Sequence, residues 1–545
     1  MGSPDSKGWS CAQNLRGDPR AASAAGAERH QHFLRRHRMN KQKIYGKVAK
    51  GEPYRKAGAR LTEDAEDVQK RTKLGDASQQ LREYDIYHRF DKAHVVMLAE
   101  EGFHSGKDAK TILEALRRME AAGITETRAE TEAGEHSGEA WLITEIGEEI
   151  GGRIHAGRSS GDFMAVTSRI FIREFLLKLM AASIELRRVL LQLAEEHIDT
   201  VMPGSTWSQH AQPTTFAHYV MSWESSLEND YQRLKQLNDR VNVSPAGSAI
   251  FTGSRYPINR ERTADLLGFD GVIQNTRYAV LGFDGWLGVP AEAFTAPALM
   301  MMNVSGIASE LYLWSNTEFS YVELADRYCG TSSIMPQKKN PYTLMWIRGA
   351  AARTYGRLSS YMTEMHDMAM GYTRQLAPTL DDILEATQIM TGVLSSLTIH
   401  KDRMLENATN MNWICATDIA DLIVIEKGLP FRTAHQIVAI LVRIGISRGL
   451  TQTAVTSALV DEAAMEYMGQ PLNLGDDAVR RALDPASCVE ARQLTGGPAP
   501  ARVREDIARA RQLAARDEAG LGEMAERLSA AADRLETAID TLIAG

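Results

Sequence analysis

Cysteine is scarce, with four in 545 residues. Cys11, Cys329, Cys415 and Cys488 stand far apart and show no paired metal-ligand spacing. That pattern fits free thiols in a reducing, cytoplasmic setting better than a disulfide framework. There is no HExxH motif and no closely spaced Cys/His cluster, so metal catalysis is not expected. There is no glycine-rich phosphate loop of the P-loop or dinucleotide type either, so no nucleotide cofactor is expected. No long basic stripe interrupts the chain, and the formal net charge is −8. Nucleic acid is therefore excluded as a partner. The most apolar run, "FTAPALMMMNVSG", is broken by polar residues and falls short of the roughly 18 apolar residues of a membrane span.

The N-terminal stretch also lacks the apolar core of about 7–15 residues that a secretory signal needs. Residues 1–38 are rich in Ala, Gly, Ser and Arg and end in "HQHFLRRHRMN". They read as a disordered tail, or as sequence upstream of a true start at Met39. Asp5, Asp18 and Glu28 weigh against an organelle transit peptide.

What the chain does have is helical periodicity. Its 44% hydrophobic and 24% charged residues suffice for a large core. In the stretch from Phe163 to His197, apolar Phe163, Val166, Ile170, Phe171, Leu177, Ile184, Val189 and Leu193 recur at three- and four-residue steps. Few breakers interrupt them, and the pattern predicts one long amphipathic helix. Similar patterns cover about 213–240, 289–317, 341–368 and 378–401. Turn-rich pieces separate them, including "VMPGSTWSQHAQP" and "VNVSPAGSAIFTGSRYP". The expected fold is all-α in three helical domains, 39–150, 151–400 and 401–545, with chemistry on the connections of a central bundle.

One connection stands out. "GTSSIMPQKKNP", Gly330 to Pro341, holds two serines, two lysines, two amides and two prolines in twelve residues. Removing a proton beside a carboxylate creates a dianionic aci-carboxylate, which needs a cation and fixed hydrogen-bond donors where the charge develops. Lys338 or Lys339 can supply the cation and Asn340 a neutral donor. A serine can act as base if its alkoxide is stabilised by the lysine and by backbone N–H groups. Each unit of lowered pKa requires about 1.4 kcal/mol of preferential stabilisation. Only a closed, dry site supplies several units.

"SSIMPQKKNP" resembles the signature of the fumarase/aspartase superfamily, whose members eliminate across a carbon–heteroatom bond and usually release fumarate. The resemblance narrows to argininosuccinate lyase over residues 80–505. "REYDIYHRFDKAHVVMLAEEG", "IHAGRSSGD", "MPGSTWSQHAQP", "YPINRERTADLLGFDGVIQNT", "PFRTAHQIV" and "ALDPASCVEARQLTGGPAPARV" are each similar to segments of that family. It implies a homotetramer with a twenty-helix core, each active site assembled from three chains, and a dicarboxylate substrate without a cofactor. It further implies Ser332 as general base, with Lys338 and Asn340 stabilising the intermediate. Arg158, Ser159, Thr206, Asn275 and Tyr372 would bind substrate, and an arginine fork suits a carboxylate.

The departures concentrate on one half of the ligand. Trp207 stands where the family has a histidine, and an indole donates one hydrogen bond but shuttles no proton. His136, His155 and His210 are the nearby alternatives. "RSSGD" loses an arginine and an asparagine of the family loop, and Ala377 and Leu380 stand where glutamine and lysine are expected. Arg89 and Phe90 replace small residues. A site stripped of polar partners for one half of a ligand discriminates against that ligand. The expected reaction is anti β-elimination of an amine from an N-substituted aspartate, such as an aminopolycarboxylate, rather than argininosuccinate. The alternatives are argininosuccinate lyase itself and a non-catalytic, crystallin-like structural protein.

Overall fold

The computed structural model describes residues 77–131, 133–282, 284–286, 288–366, 376–410 and 413–545. The tail 1–38 and Tyr372 lie outside the described residues. The main helices are α1 (Ala77–Glu100), α2 (Gly106–Ala122), α3 (Ile124–Glu130), α4 (Ser137–Ile146), α5 (Ser160–Glu196), α6 (Phe216–Val241), α7 (Thr276–Leu281) and α8 (Glu292–Trp314). They continue with α9 (Tyr342–His366), α10 (Leu376–Ser395), α11 (Ala416–Lys427), α12 (Phe431–Ser447), α13 (Ser457–Met468) and α14 (Pro500–Ala544). Strands among the described residues are short and form two-stranded antiparallel pairs. The molecule is mostly helical.

The long helices fall where the apolar periodicity places them, and local chemistry sets their ends. α5 begins at Ser160 because Ser159 caps it: the Asp162 carboxylate accepts from both the Ser159 N–H and its hydroxyl at 2.9 Å. α6 starts after Thr215, whose hydroxyl accepts the His218 N–H at 3.1 Å. The piece "VMPGSTWSQHAQP" is more regular than a loop. Val201–Thr206 and Gln209–Thr215 pair as a hairpin, β1–β2, with Thr206 opposite Gln209. Trp207 and Ser208 both take positive φ, 53° and 59°, as a two-residue hairpin turn requires.

Four apolar clusters underlie these elements, the smallest of them Ala165, Ile273, Ala279 and Val280, which seats α7 on α5. The largest joins α5, α6, α8, α9 and α10 through residues such as Leu179, Leu227, Val304, Ile347 and Ile383. A second packs α1 and α2 on the start of α5 through Phe90, Val96, Ile112 and Phe163. A third holds α11–α13 together through Ile419, Ile437 and Val460. The last helix, α14, gives Val503 and Ile507 to the first cluster and Leu535 and Ile539 to the second. Most of its mixed charge faces solvent over a buried apolar stripe, while Asp517 and Glu536 turn inward to pair with buried Arg187 and Lys92 at 2.6 Å each.

Candidate functional site

The Gly330–Pro341 segment is a small ribbon with an open tip. Gly330–Thr331 (β3) pairs with Lys339–Asn340 (β4), Gly330 opposite Asn340 and Thr331 opposite Lys339. Between them, the Ser332 Oγ accepts the backbone N–H groups of Ile334 at 3.3 Å and Met335 at 3.1 Å. Donors aimed at this oxygen favour its deprotonated form over the neutral hydroxyl. The two lysines separate cleanly. Lys339 Nζ lies 2.8 Å from both the Glu323 and the Asp326 carboxylates. Its hydrogen bond to Asp326, then that to Glu323, raises its pKa well above the usual lysine range. Lys338 is exposed and makes no ion pair among the described residues, so it is the cation available to a ligand. The tip is apolar and open, with Ile334 82% and Met335 41% exposed.

Arg158 sits in a different environment. The loop before α5 is pinned where the His94 ring bonds the Ala156 carbonyl at 2.8 Å. Burial, with Arg158 adding to it, pushes the His94 pKa far down, so this ring is a neutral donor. Arg158 is buried, with its guanidinium 4.4 Å from the Phe163 ring centre and 5.2 Å from that of Phe90. Its Nη2 donates to Asp91 Oδ1 at 2.6 Å, while Arg128 Nη2 donates to Asp91 Oδ2 at 2.5 Å. Burial raises the Asp91 pKa, but the Arg158 and Arg128 charges outweigh it and hold the carboxyl below its ordinary value. Gly138 makes room for this pair, because a Cβ there would fall 2.1 Å from Asp91 Oδ2. The Nε and Nη1 of Arg158 take no hydrogen-bond partner among the described residues. Arg158 also lines a cavity of about 560 Å³ with Phe103, His155, Ala249 and Tyr256.

The other residues implied by the resemblance are distributed as follows. Ser159 is engaged by Asp162, whose second oxygen accepts the Ala249 N–H at 3.2 Å. Asn275 caps α7 by accepting the Tyr278 N–H at 2.9 Å, and Thr276 beside it donates to the Phe251 carbonyl at 2.9 Å. Asp162 and Thr276, the neighbours of Ser159 and Asn275, thus both bond the 249–251 turn, and Ala249 lines the same cavity as Arg158. Thr206 is exposed at the tip of the β1–β2 hairpin, next to Trp207, which is 97% exposed. Burial lowers the pKa of His210, which stands opposite Ser205 on that hairpin. No hydrogen bond or ion pair among the described residues ties the Ser332 ribbon or the Thr206 hairpin to the Arg158 group. Ala377 and Leu380 face the core of α10 and are buried. Arg89 pairs with Glu174 at 2.8 Å.

Sequence reasoning missed Asp91 and Arg128, which are separated from their partners by tens of residues and announce themselves by no local motif. His136, Glu139 and His155 also converge near Arg158.

A family model described as Lyase matches residues 29–356, and one described as Argininosuccinate lyase C-terminal matches 413–490. The argininosuccinate lyase of Methanosarcina mazei is 37% identical over 77% of this chain and 85% of that protein. That of Methanoculleus marisnigri is 38% identical over 82% of this chain and 90% of that protein. Among solved structures, EDDS lyase in complex with formate is 33% identical, covers 89% of this chain and 97% of its own, and superposes with a TM-score of 0.80. A variant of EDDS lyase with bound fumarate superposes equally well. A fumarate lyase from Mesorhizobium sp. BNC1, 21% identical with a TM-score of 0.63, shares the fold.

Proposed function

The chain belongs to the lyase family of fumarate-releasing carbon–nitrogen lyases, with the C-terminal segment of argininosuccinate lyases, and from that premise we propose a mechanism and a substrate. Ser332 Oγ, as alkoxide, removes the proton from the carbon beside a succinyl carboxylate. The electron pair enters that carboxylate as an aci-carboxylate, which Lys338 and Asn340 stabilise. Collapse of this dianion forms the carbon–carbon double bond and breaks the carbon–nitrogen bond, and the departing amine takes up a proton. The observation that carries the reading is the Ser332 ribbon: two backbone N–H groups already aimed at the hydroxyl, one lysine anchored by Glu323 and Asp326, and the other left available. Arg158, Ser159, Thr206, Asn275 and Tyr372 hold the dicarboxylate.

The site is completed by association into a homotetramer: among the described residues, none of the hydrogen bonds and ion pairs named above joins the Ser332 ribbon, the Thr206 hairpin and the Arg158 group to one another. Exposed apolar side chains on the central helices support that association: Met302 at 56% and Leu313 at 43% on α8, Met345 at 56% and Met362 at 50% on α9.

Argininosuccinate is the first substrate, supported by the names of the curated relatives, which cover most of this chain. This reverses the preference drawn from the departures alone. An aminopolycarboxylate remains the second reading, supported by the EDDS lyase structures. The test is to offer purified protein argininosuccinate and ethylenediamine-disuccinate and follow the ultraviolet absorbance of fumarate. Faster release from argininosuccinate supports the first reading and faster release from the diamine the second. No fumarate from either, nor from other N-substituted aspartates, would count against the proposal.

A further inference from the structure

We propose that His136, Glu139 and His155 form a binding site for a divalent transition-metal ion of the zinc class. The three donor atoms lie within 4.8 Å of one another. Glu139 Oε2 is 3.0 Å from His155 Nδ1 and 3.7 Å from His136 Nδ1. Tetrahedral zinc with bonds of about 2.0–2.1 Å to nitrogen and oxygen holds its donors roughly 3.3–3.4 Å apart. The two distances from the Glu139 carboxylate straddle that value, and the two imidazole nitrogens lie within 4.8 Å of each other. The two imidazole rings lie with centres 4.9 Å apart, so both can turn a nitrogen toward a single point beside the carboxylate.

The surroundings fit as well. His136 Nε2, the nitrogen facing away from Glu139, lies 3.0 Å from Ser160 Oγ. A ring that ligates through Nδ1 carries its proton on Nε2, and that hydrogen bond is the outer support a ligating histidine needs. Two imidazoles and one carboxylate form the donor set that favours zinc and its neighbours over calcium or magnesium. Glu139 and His136 are buried, whereas His155 is half-exposed and lines the 560 Å³ cavity, so the ion has an entry path. Three protein donors leave a coordination position for water or another small ligand.

The placement has chemical reach, because His155 lies three residues before Arg158 and lines the same cavity. An ion there adds positive charge beside the guanidinium that the lyase reading assigns to a substrate carboxylate. The site itself does not depend on that reading, since its ligands are named by geometry alone.

The experiment uses full-length protein made without a histidine tag, stripped with a chelator and exchanged into clean buffer. Zinc is titrated calorimetrically and bound metal is counted by elemental analysis. Cobalt substitution then reports the coordination through its visible spectrum. The expected result is one zinc per chain, with Glu139→Gln and His155→Ala weakening binding by more than the roughly 10–100-fold that outer-shell changes cost. His435→Ala, at an exposed position on α12, serves as the control and binds as the parent does. Should Glu139→Gln fail to fold, His155→Ala decides the matter, since that side chain is partly exposed and its fold is checked by circular dichroism. Zinc bound equally by parent and His155→Ala, or no binding at micromolar zinc, overturns the site and leaves the lyase reading untouched.

Discussion

Replacing Asp91 with asparagine tests the buried charge arrangement most directly. Asp91 receives one guanidinium on each oxygen, at 2.6 and 2.5 Å, and all three side chains are buried. Two unit charges about 4 Å apart at an effective dielectric near 20 attract by about 4 kcal/mol. The carboxylate makes two such pairs, offset by repulsion between Arg128 and Arg158 and by its own desolvation. Breaking a buried pair by removing one partner typically costs about 3–5 kcal/mol, because it strands an uncompensated charge. Here two cations are stranded, and an amide oxygen satisfies only one of them, which places the expected loss at the upper end, about 4–5 kcal/mol. Urea denaturation followed by circular dichroism at neutral pH measures it. The pH dependence adds a second signature. Asp91 has a depressed pKa in the folded state, so its contribution is fully present above the unfolded value of about 3.9 and is lost as pH falls through the lower folded value. The gap between parent and variant should hold steady from neutral pH down to about 5 and close only in stronger acid. A loss under about 1 kcal/mol, or a gap that closes near neutrality, refutes the reasoning.

Ser332→Ala should keep native circular dichroism and lower kcat by about 10²–10⁴-fold, the usual worth of a positioned general base; full activity would remove the serine mechanism. Lys338→Met and Lys339→Met should differ in steady-state kinetics. The first should depress kcat at nearly unchanged KM, and the second should act mainly on KM by releasing the ribbon from Glu323 and Asp326; equal effects would undo the distinction. Trp207→Asn should leave thermal stability equal or slightly raised, since asparagine accepts the positive φ of 53° at the hairpin turn better than an indole. A fall in melting temperature would mean that Trp207 is packed in the assembled protein.

How much of this was legible in the sequence depends on the range over which each feature is encoded. The helix over Ser160–Glu196 was legible because its apolar period lies within a few residues of the atoms it governs, whereas its Ser159 cap emerged only from the structure. The β1–β2 hairpin was not. Its strands, "VMPGST" and "QHAQPTT", lack apolar alternation and carry Pro203, Gly204 and Pro213, and a register shift at Pro203–Ser205 breaks the ladder. Its turn is made by Trp207 and Ser208, residues that do not signal positive φ. The Asp91 pair with Arg128 and Arg158 spans 37 and 67 residues, and no local pattern foretells it. The same holds for His155, which reaches Glu139 across an intervening helix and turn.

Donor accounting ranks the proposed substrate ligands in a way the motif alone does not. A carboxylate needs N–H or O–H donors, so a side chain whose donors are already spent makes a poor ligand. Ser159 gives its hydroxyl proton to Asp162, and taking it away would unmake the cap of α5. Among the described residues Asn275 uses only its side-chain carbonyl oxygen, on the Tyr278 N–H, which leaves the amide hydrogens for a ligand. Arg158 spends Nη2 on Asp91 and keeps Nε and Nη1 unsatisfied in a buried setting, where an unmade hydrogen bond costs about 1–3 kcal/mol or more for a charged group. Both nitrogens are shut off from solvent, so a carboxylate recovers that cost only where the cavity wall opens onto them. The binding energy for the dicarboxylate should therefore reside in Arg158 and Asn275, with Ser159 acting through the start of the helix that carries the loop.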